Sequence, residues 1–258
     1  MIPAVGPDAC QKDKREGKRL MWREARISLA RAKGSVTPVY AGTIEGGADE
    51  AGRQLFACAV RAGFGTRSHV HAAGDGAPWI VGQVEQQFGA QGSYLIDFYH
   101  VCECLSGAAK VVAPGPAAQE TWTEAQKDAL KTGHLESALQ APACHLETPQ
   151  VADDQAPARR CHRYLSERGN QLNYREALAN DLPIGSGEIE SAHRYIAQQR
   201  LKRPGAWWRV SHAEYMLALR VNRRNGDWEA YWATLGKNEM PVNPANQNRP
   251  SASPKVAA

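Results

Sequence analysis

Two short β-like runs that each stop at an aspartate, with a helical pattern starting directly afterwards, constrain this chain more than any other feature. The run Arg67-Ser68-His69-Val70-His71 leads into Gly74-Asp75-Gly76-Ala77-Pro78-Trp79-Ile80, and Tyr94-Leu95-Ile96 leads into Asp97. Trp79, Ile80, Val84 and Phe88 then recur at helical spacing until Gly89, and a further helix runs from Phe98 through Leu105 to Val112. Strands alternating with helices in this way predict an α/β fold. An acid at the C-terminal edge of a strand, between glycines that let another group approach the backbone, is placed to hold a metal or polarise a substrate.

Upstream, Ala25, Ile27 and Leu29 alternate with Arg26 and Ser28, the period of a half-buried strand. Lys33-Gly34-Ser35 supplies a turn, and Val36 to Tyr40 predicts a second strand that Pro38 restricts to a sheet edge. Leu55, Cys58, Ala59 and Ala62 form one stripe of a helix from Ala48 to Ala62, with Gly63 as its C-cap. Residues 1–21, polar and charged from Asp8 onward, predict an exposed charged segment, and 22–113 the first part of the core. Pro114-Gly115-Pro116 breaks the pattern, and 114–182 predicts an all-helical insertion. The glycine-rich stretch Leu182 to Gly187 approaches a helix that runs from Glu188 to Arg203, where Pro204-Gly205 stops it. Within 183–235, Ser211-His212-Ala213-Glu214 has the form of a capping box, and Asp227 precedes a last helix carrying Trp228, Tyr231 and Trp232. The Asn-, Pro- and Ser-rich tail, 236–258, predicts disorder.

With 258 residues, 43% of them hydrophobic and 22% charged, the chain buries a real core and is not a disordered polymer. No apolar run approaches the ~20 residues that span a bilayer. The start Met1-Ile2-Pro3-Ala4-Val5-Gly6-Pro7 lacks the basic and long apolar regions of a signal peptide, so the expectation is a cytoplasmic protein with no membrane partner. Cys10, Cys58, Cys102, Cys104, Cys144 and Cys161 include no Cys-x-x-Cys pair, which favours free thiols, and no Cys/His pair has zinc-finger spacing. A net charge of +4 decides nothing by itself. Between 194 and 224, however, Arg194, Arg200, Lys202, Arg203, Arg209, Arg220, Arg223 and Arg224 face a single acid, Glu214. That asymmetry suits a polyanionic partner, with a solvated basic face as the plain alternative.

Three carboxylate positions stand out: Asp75 and Asp97 at strand ends, and Glu188/Glu190 at a helix start. Hard cations such as Mg2+ or Mn2+ need only a few carboxylates converging from separate elements. Each acid also has an ordinary use. Asp75 suits a turn, Asp97 suits an N-cap with His100 at N3, and Glu190 can pair with His193 or Arg194 for ~0.3–0.5 kcal/mol. Trp207 and Trp208 can stack on bases or pack on the preceding helix.

Taken in order, Gly-Asp-Gly-Ala-Pro-Trp-Ile (74–80), Tyr-Leu-Ile-Asp-Phe-Tyr-His-Val-Cys-Glu (94–103), Pro-Ile-Gly-Ser-Gly-Glu-Ile-Glu-Ser-Ala-His-Arg (183–194) and Arg-Leu-Lys-Arg-Pro-Gly (200–205) resemble bacterial insertion-sequence transposases. The nearest group is the Kra-type family, related to mutator-like transposases, and the likeness runs from about residue 10 to about residue 232. The resemblance implies a ribonuclease-H-like catalytic core with an Asp, Asp, Glu site for Mg2+ or Mn2+, interrupted by a helical insertion before the Glu. It implies cleavage and strand transfer at insertion-sequence ends, with DNA ends and target DNA as partners and a homo-oligomer or a full-length transposase beside them.

On that pattern Asp75 is the second catalytic and metal-binding acid. Glu190 is the third in preference to Glu188, because Gly-Ser-Gly, two variable residues and Glu-Ser match 185–191. Asp97 and His100 match an Asp-x-x-His motif that supports the site or contacts DNA, and Arg194, Arg200, Lys202, Arg203 and Arg209 lie on DNA. The family's first Asp sits in an Asp-Gly unit on the first strand, just before a Met-Val-Pro-like segment, where this chain begins Met1-Ile2-Pro3. Asp8 lies in a charged stretch and does not replace it. The resemblance therefore implies an N-terminally truncated, inactive copy lacking the first strand, with the hairpin strand and the Asp75 strand left unpaired on one edge. The alternative is a catalytically dead DNA-binding protein or a regulator of full-length transposase.

Overall fold

A computed structural model describes residues 2–5 and 20–237 as a mixed α/β chain, mostly helical. The elements are β1 (Ile2–Val5), β2 (Leu20–Arg23), β3 (Arg26–Ala30), β4 (Val39–Thr43), α1 (Ala48–Arg61), β5 (Val70–Gly74), α2 (Pro78–Phe88), β6 (Gly92–Ile96) and α3 (Phe98–Val112). There follow α4 (Pro116–Thr132), α5 (Leu135–Ala143), α6 (Pro157–Ser166), α7 (Tyr174–Ala179), α8 (Gly187–Ala192), a π-helical stretch (His193–Gln198), α9 (Gln199–Leu201), β7 (Trp208–Arg209), α10 (Val210–Arg224) and α11 (Trp228–Lys237).

The strands form three small sheets. β1 lies between β2, antiparallel, and β7, parallel; β3 and β4 form an antiparallel pair; β5 and β6 form a parallel pair. β1 corrects the expectation of an exposed charged segment over 1–21: Ile2-Pro3-Ala4-Val5 is a strand, too short to show a period. Asp8 and the rest of 6–19 lie outside the described residues, as does the tail from 238 onward. β4 starts at Val39 and not at Val36, because Ser35 and Thr37 close a local turn and Pro38 has no N–H for the ladder. β5 likewise starts three residues late, since Ser68 N–H donates to the Gly65 carbonyl at 3.0 Å and closes a turn there.

Helices cover the two hairpin-sized sheets on both faces. On one face of β3, Ser28 Oγ donates to the Ala51 carbonyl of α1 at 3.1 Å. On the other, Ile27 and Leu29 share a core with Ile189, Ala192 and Ile196. α1 meets α2 at Gly52, where a Cβ would fall 1.8 Å from Gln83 Oε1, and Gln83 Nε2 donates to Asp49 at 2.9 Å. The stretch from α4 to α7 is helical, with no strand among its described residues, and it does not stand apart. Leu130, Ala138, Leu165 and Tyr174 share one buried cluster with Leu95 and Ile96 of β6 and Val101 and Leu105 of α3. Cys58, Cys102, Cys104, Cys144 and Cys161 are free thiols, and Cys10 lies outside the described residues.

The expected capping box at Ser211 does not form. Arg209 occupies the N-cap position of α10, and Glu214 turns to β4, where its Oε2 accepts from Ile44 N–H at 2.6 Å and Glu45 N–H at 3.2 Å. Two backbone donors at a strand end compete better for the carboxylate than the helix's own first turn. The Asp227 carboxylate is spent on Arg61, which grips both oxygens at 2.6 and 2.7 Å. No described helix is long and apolar enough to cross a membrane.

Candidate active site

Asp75 stands at the end of β5 with its carboxylate exposed, and Oδ1 accepts from Ala77 N–H at 2.9 Å, an Asx turn. Two phenols clamp the turn. Tyr94 of β6 accepts from Gly76 N–H at 2.9 Å, and Tyr164 of α6 donates to the Asp75 carbonyl at 3.3 Å. A Cβ on Gly74 would fall 2.7 Å from the Tyr94 hydroxyl, and one on Gly76, whose φ is +82°, would fall 2.9 Å from that of Tyr164. The glycines therefore admit two side chains of the protein itself. Burial pushes both phenols up to about 12, with the Asp75 and Asp97 charges adding to the rise, so both stay protonated. Tyr164 reaches the site across 89 residues of sequence, and nothing in its local pattern signals the contact.

Asp97 follows β6, which runs parallel to β5, and is almost fully buried. Its N–H donates to the Gly74 carbonyl at 2.7 Å, and Oδ1 accepts from Tyr99 and His100 N–H at 2.7 and 3.3 Å, capping α3. Oδ2 accepts from Ser186 N–H at 2.6 Å and from the Ser186 hydroxyl. Phe98 N–H donates to the Ile184 carbonyl at 2.8 Å, and His71 Nε2 lies 2.9 Å from that of Pro183. Burial raises the Asp97 carboxyl, but the hydrogen bonds from Ser186, Tyr99 and His100 outweigh it and hold the group below the ordinary Asp value. Asp97 thus joins the end of the Asp75 strand to the segment that opens α8, the helix of Glu188 and Glu190.

The two glutamates differ. Glu188 accepts from Arg31 Nε at 2.9 Å, just past β3. Glu190 is exposed, and its carboxylate has no hydrogen bond or ion pair among the described residues; neither His193 nor Arg194 pairs with it. His100 is half-exposed on the first turn of α3, edge-on to Tyr164 with ring centres 6.2 Å apart, and its Nδ1 lies 3.8 Å from Glu103.

From His193, three residues after Glu190, the helix widens into the π-helical stretch, and Arg220 of α10 holds it, donating to the carbonyls of Ile196, at 2.6 Å, and Tyr195. The basic segment therefore divides by use. Arg220 is structural, Arg200 stacks over Trp208 at 5.4 Å, Arg223 lies over Trp228 and Arg224 over Tyr195. Arg194, Lys202 and Arg203 are exposed and pair with no described acid. Arg209 is exposed too, at the edge formed by β7. The tryptophans divide as well: Trp208 packs into the core with its indole N–H on the Leu201 carbonyl at 3.2 Å, while Trp207 is 51% exposed.

Among the described residues no group of three His, Cys, Asp or Glu side chains is set to hold a metal ion. Asp75 and Glu190 are two carboxylates with no cationic partner among the described residues.

No family model matches the chain, and no solved structure matches it. It is similar to the "UPF0236 protein in vanSb 3'region" of Streptococcus gallolyticus, 31% identical over 165 residues that cover 61% of this chain and 34% of the relative. The chain thus spans about a third of the length of that curated relative.

Proposed function

We propose that this chain is the greater part of a DNA strand-transfer core of the transposase type. On this reading Asp75 and Glu190 are two of its acids, and the described residues by themselves bind DNA without cutting it. The observation that carries the reading is the Asp97 tether. A buried carboxylate bonded on one oxygen to α3 and on the other to Ser186 ties the N-cap of α8, the helix of Glu190, to the end of the β5–β6 pair where Asp75 stands. The four motif blocks, in order, agree with it, and the relative's name states no activity.

The residues divide the work as follows. Tyr94 and Tyr164 fix the Asp75 turn, and Asp97 fixes the approach to α8. Glu188 is neutralised by Arg31, which leaves Glu190 free. Arg194, Lys202 and Arg203, with Arg200 and Arg209 beside them, meet phosphates, and Trp207 lies among them. On this reading a third acid comes from outside the described residues. Divalent-metal chemistry waits on that acid.

DNA binding tests the reading directly. In gel shifts with duplex DNA the affinity should fall steeply with salt, by about 0.9 in log K per unit of log[salt] for each phosphate neutralised. Replacing Arg194, Lys202 and Arg203 together by Ala should lower that slope by about 2–3. An unchanged slope, or no binding at low salt, would sink the assignment.

A further inference from the structure

Helices α3 and α6 cross antiparallel, and three contacts fix their register. Towards one end, a Cβ on Gly107 would lie 3.8 Å from the Cβ of Pro157. Towards the other, the His100 and Tyr164 rings meet edge-on with centres 6.2 Å apart. Between these contacts, one turn from each, the Cys104 and Cys161 thiols share a hydrogen bond. Residue numbers rise along α3 as they fall along α6, so the thiol contact belongs to the packing of the two helices. The Gly107–Pro157 spacing lies within the ~3.5–4.5 Å that separates the Cβ atoms of a cystine, so the two backbones run close enough here for a bridge.

The two thiols are unequal. Cys161 is fully buried in the cluster that α3 and α6 share, whereas Cys104 is half-buried at its margin. The hydrogen bond from Cys161, with the Arg160 and Arg168 charges nearby, outweighs burial and holds the Cys104 thiol below its ordinary value. The same bond, and then burial, push the Cys161 thiol up. A thiol that solvent reaches and that gives up its proton readily is the one an oxidant attacks first. Cys102, two residues away on α3, points elsewhere: Lys127 and Lys131 of α4 lie beside it, and burial raises its value. Burial likewise pushes the Cys58 thiol up to about 11.

We infer that Cys104 and Cys161 form a peroxide-oxidised dithiol site, with Cys104 as the attacking thiol and Cys161 as the resolving one, joined across the α3–α6 contact. Cys104 loses its proton, and its sulfur attacks one oxygen of hydrogen peroxide. An S–O bond forms, the O–O bond breaks, and the departing hydroxide takes up a proton as water. The Cys161 sulfur then attacks the Cys104 sulfenic acid: the S–S bond forms, the S–OH bond breaks, and the hydroxide leaves as water with the Cys161 proton. Two thiols are oxidised by two electrons and one peroxide is reduced to two waters. The bridge fastens α3, which Asp97 caps, to α6 one turn from Tyr164, whose hydroxyl holds the Asp75 carbonyl. The inference concerns helix packing and thiol chemistry and is independent of any action on DNA.

Peroxide treatment of the folded full chain, followed by peptide mapping without reductant, tests it. Trypsin with a Glu-specific protease cuts after Glu103 and so separates Cys102 from Cys104. Equimolar hydrogen peroxide should join the peptide Cys104–Lys110 to Cys161–Arg163, two hydrogen masses below their sum, and dithiothreitol should release both unchanged. Thiol titration of the unfolded product should show two of the six thiols lost. In Cys161→Ser the sulfenic acid should persist on Cys104 and be trapped by dimedone, while in Cys104→Ser the Cys161 thiol should stay unlabelled. Mapping of the parent chain decides the pairing whether or not either variant folds. The inference is overturned if Cys104 stays reduced, or if it goes to sulfinic acid with no linked peptide. It is equally overturned if the urea-unfolded chain gives the same pairing in the same proportion, since the fold then plays no part in choosing the partner.

Discussion

At the scale of single residues, the Asp75 turn shows how little room the site has. Gly76 holds φ at +82° and leaves space for the Tyr164 hydroxyl, so Gly76→Ala meets both backbone strain and a close contact. It should cost about 1–3 kcal/mol in urea unfolding, and a neutral result would contradict the phenol clamp. Asp97 makes a second prediction, with a definite sign in pH. Its folded value is depressed, so its stabilisation is present above the unfolded value near 3.9 and is lost as pH falls through the lower folded value. Asp97→Asn leaves an amide facing the Ser186 N–H and should cost about 2 kcal/mol at neutral pH. In thermal melts the gap between variant and parent should close in acid, and a gap constant down to pH ~2 would refute the linkage. Local pattern offers Asp97 as an N-cap or as a supporting acid; the structure shows the cap on one oxygen, and the other oxygen holds Ser186. The partner across the chain could not be read, because Ser186 is an ordinary residue in a glycine-rich stretch.

Among elements, what was legible followed local period and what was not depended on distant competition. α1, α2 and α3 start and stop close to where their apolar spacing and glycines place them. β4 and β5 are shifted because side-chain turns at Ser35 and Ser68 outcompete the ladder. No capping box forms at Ser211 because the end of β4 offers the Glu214 carboxylate two N–H groups that no local pattern reveals. The π-helical stretch falls inside what the sequence predicts as one continuous helix, and the side chain that holds it, Arg220, lies 24 residues beyond Ile196. Burial, and then the charges of Arg200 and Arg223, pull the Arg220 value down, the mark of a guanidinium committed to carbonyls inside the fold. Arg220→Met should free those carbonyls, lower stability by about 1–3 kcal/mol and speed amide exchange selectively over residues 193–201. Uniform loss of protection, with no bias to that stretch, would argue against a local role.

On the scale of the whole molecule, the described residues form small sheets held by shared helices, with Asp75 and Asp97 at one end of the β5–β6 pair. The motif blocks single out Asp75 and Glu190 as candidates by local pattern alone. They could not reveal that helix α6 of the predicted insertion supplies a phenol to the Asp75 turn, since that contact exists only once α3 and α6 pack together. The central claim is that Asp75 and Glu190 are two acids of a DNA-cutting site that needs one more. The most direct measurement is Mn2+-dependent nicking of supercoiled plasmid by the chain carrying an added N-terminal apolar strand that ends in Asp-Gly. The account predicts no nicking by the parent chain, nicking by the extended chain, and its loss to background in both Asp75→Asn and Glu190→Gln. An extended chain that binds DNA yet never nicks it, or nicking indifferent to those two substitutions, would contradict it.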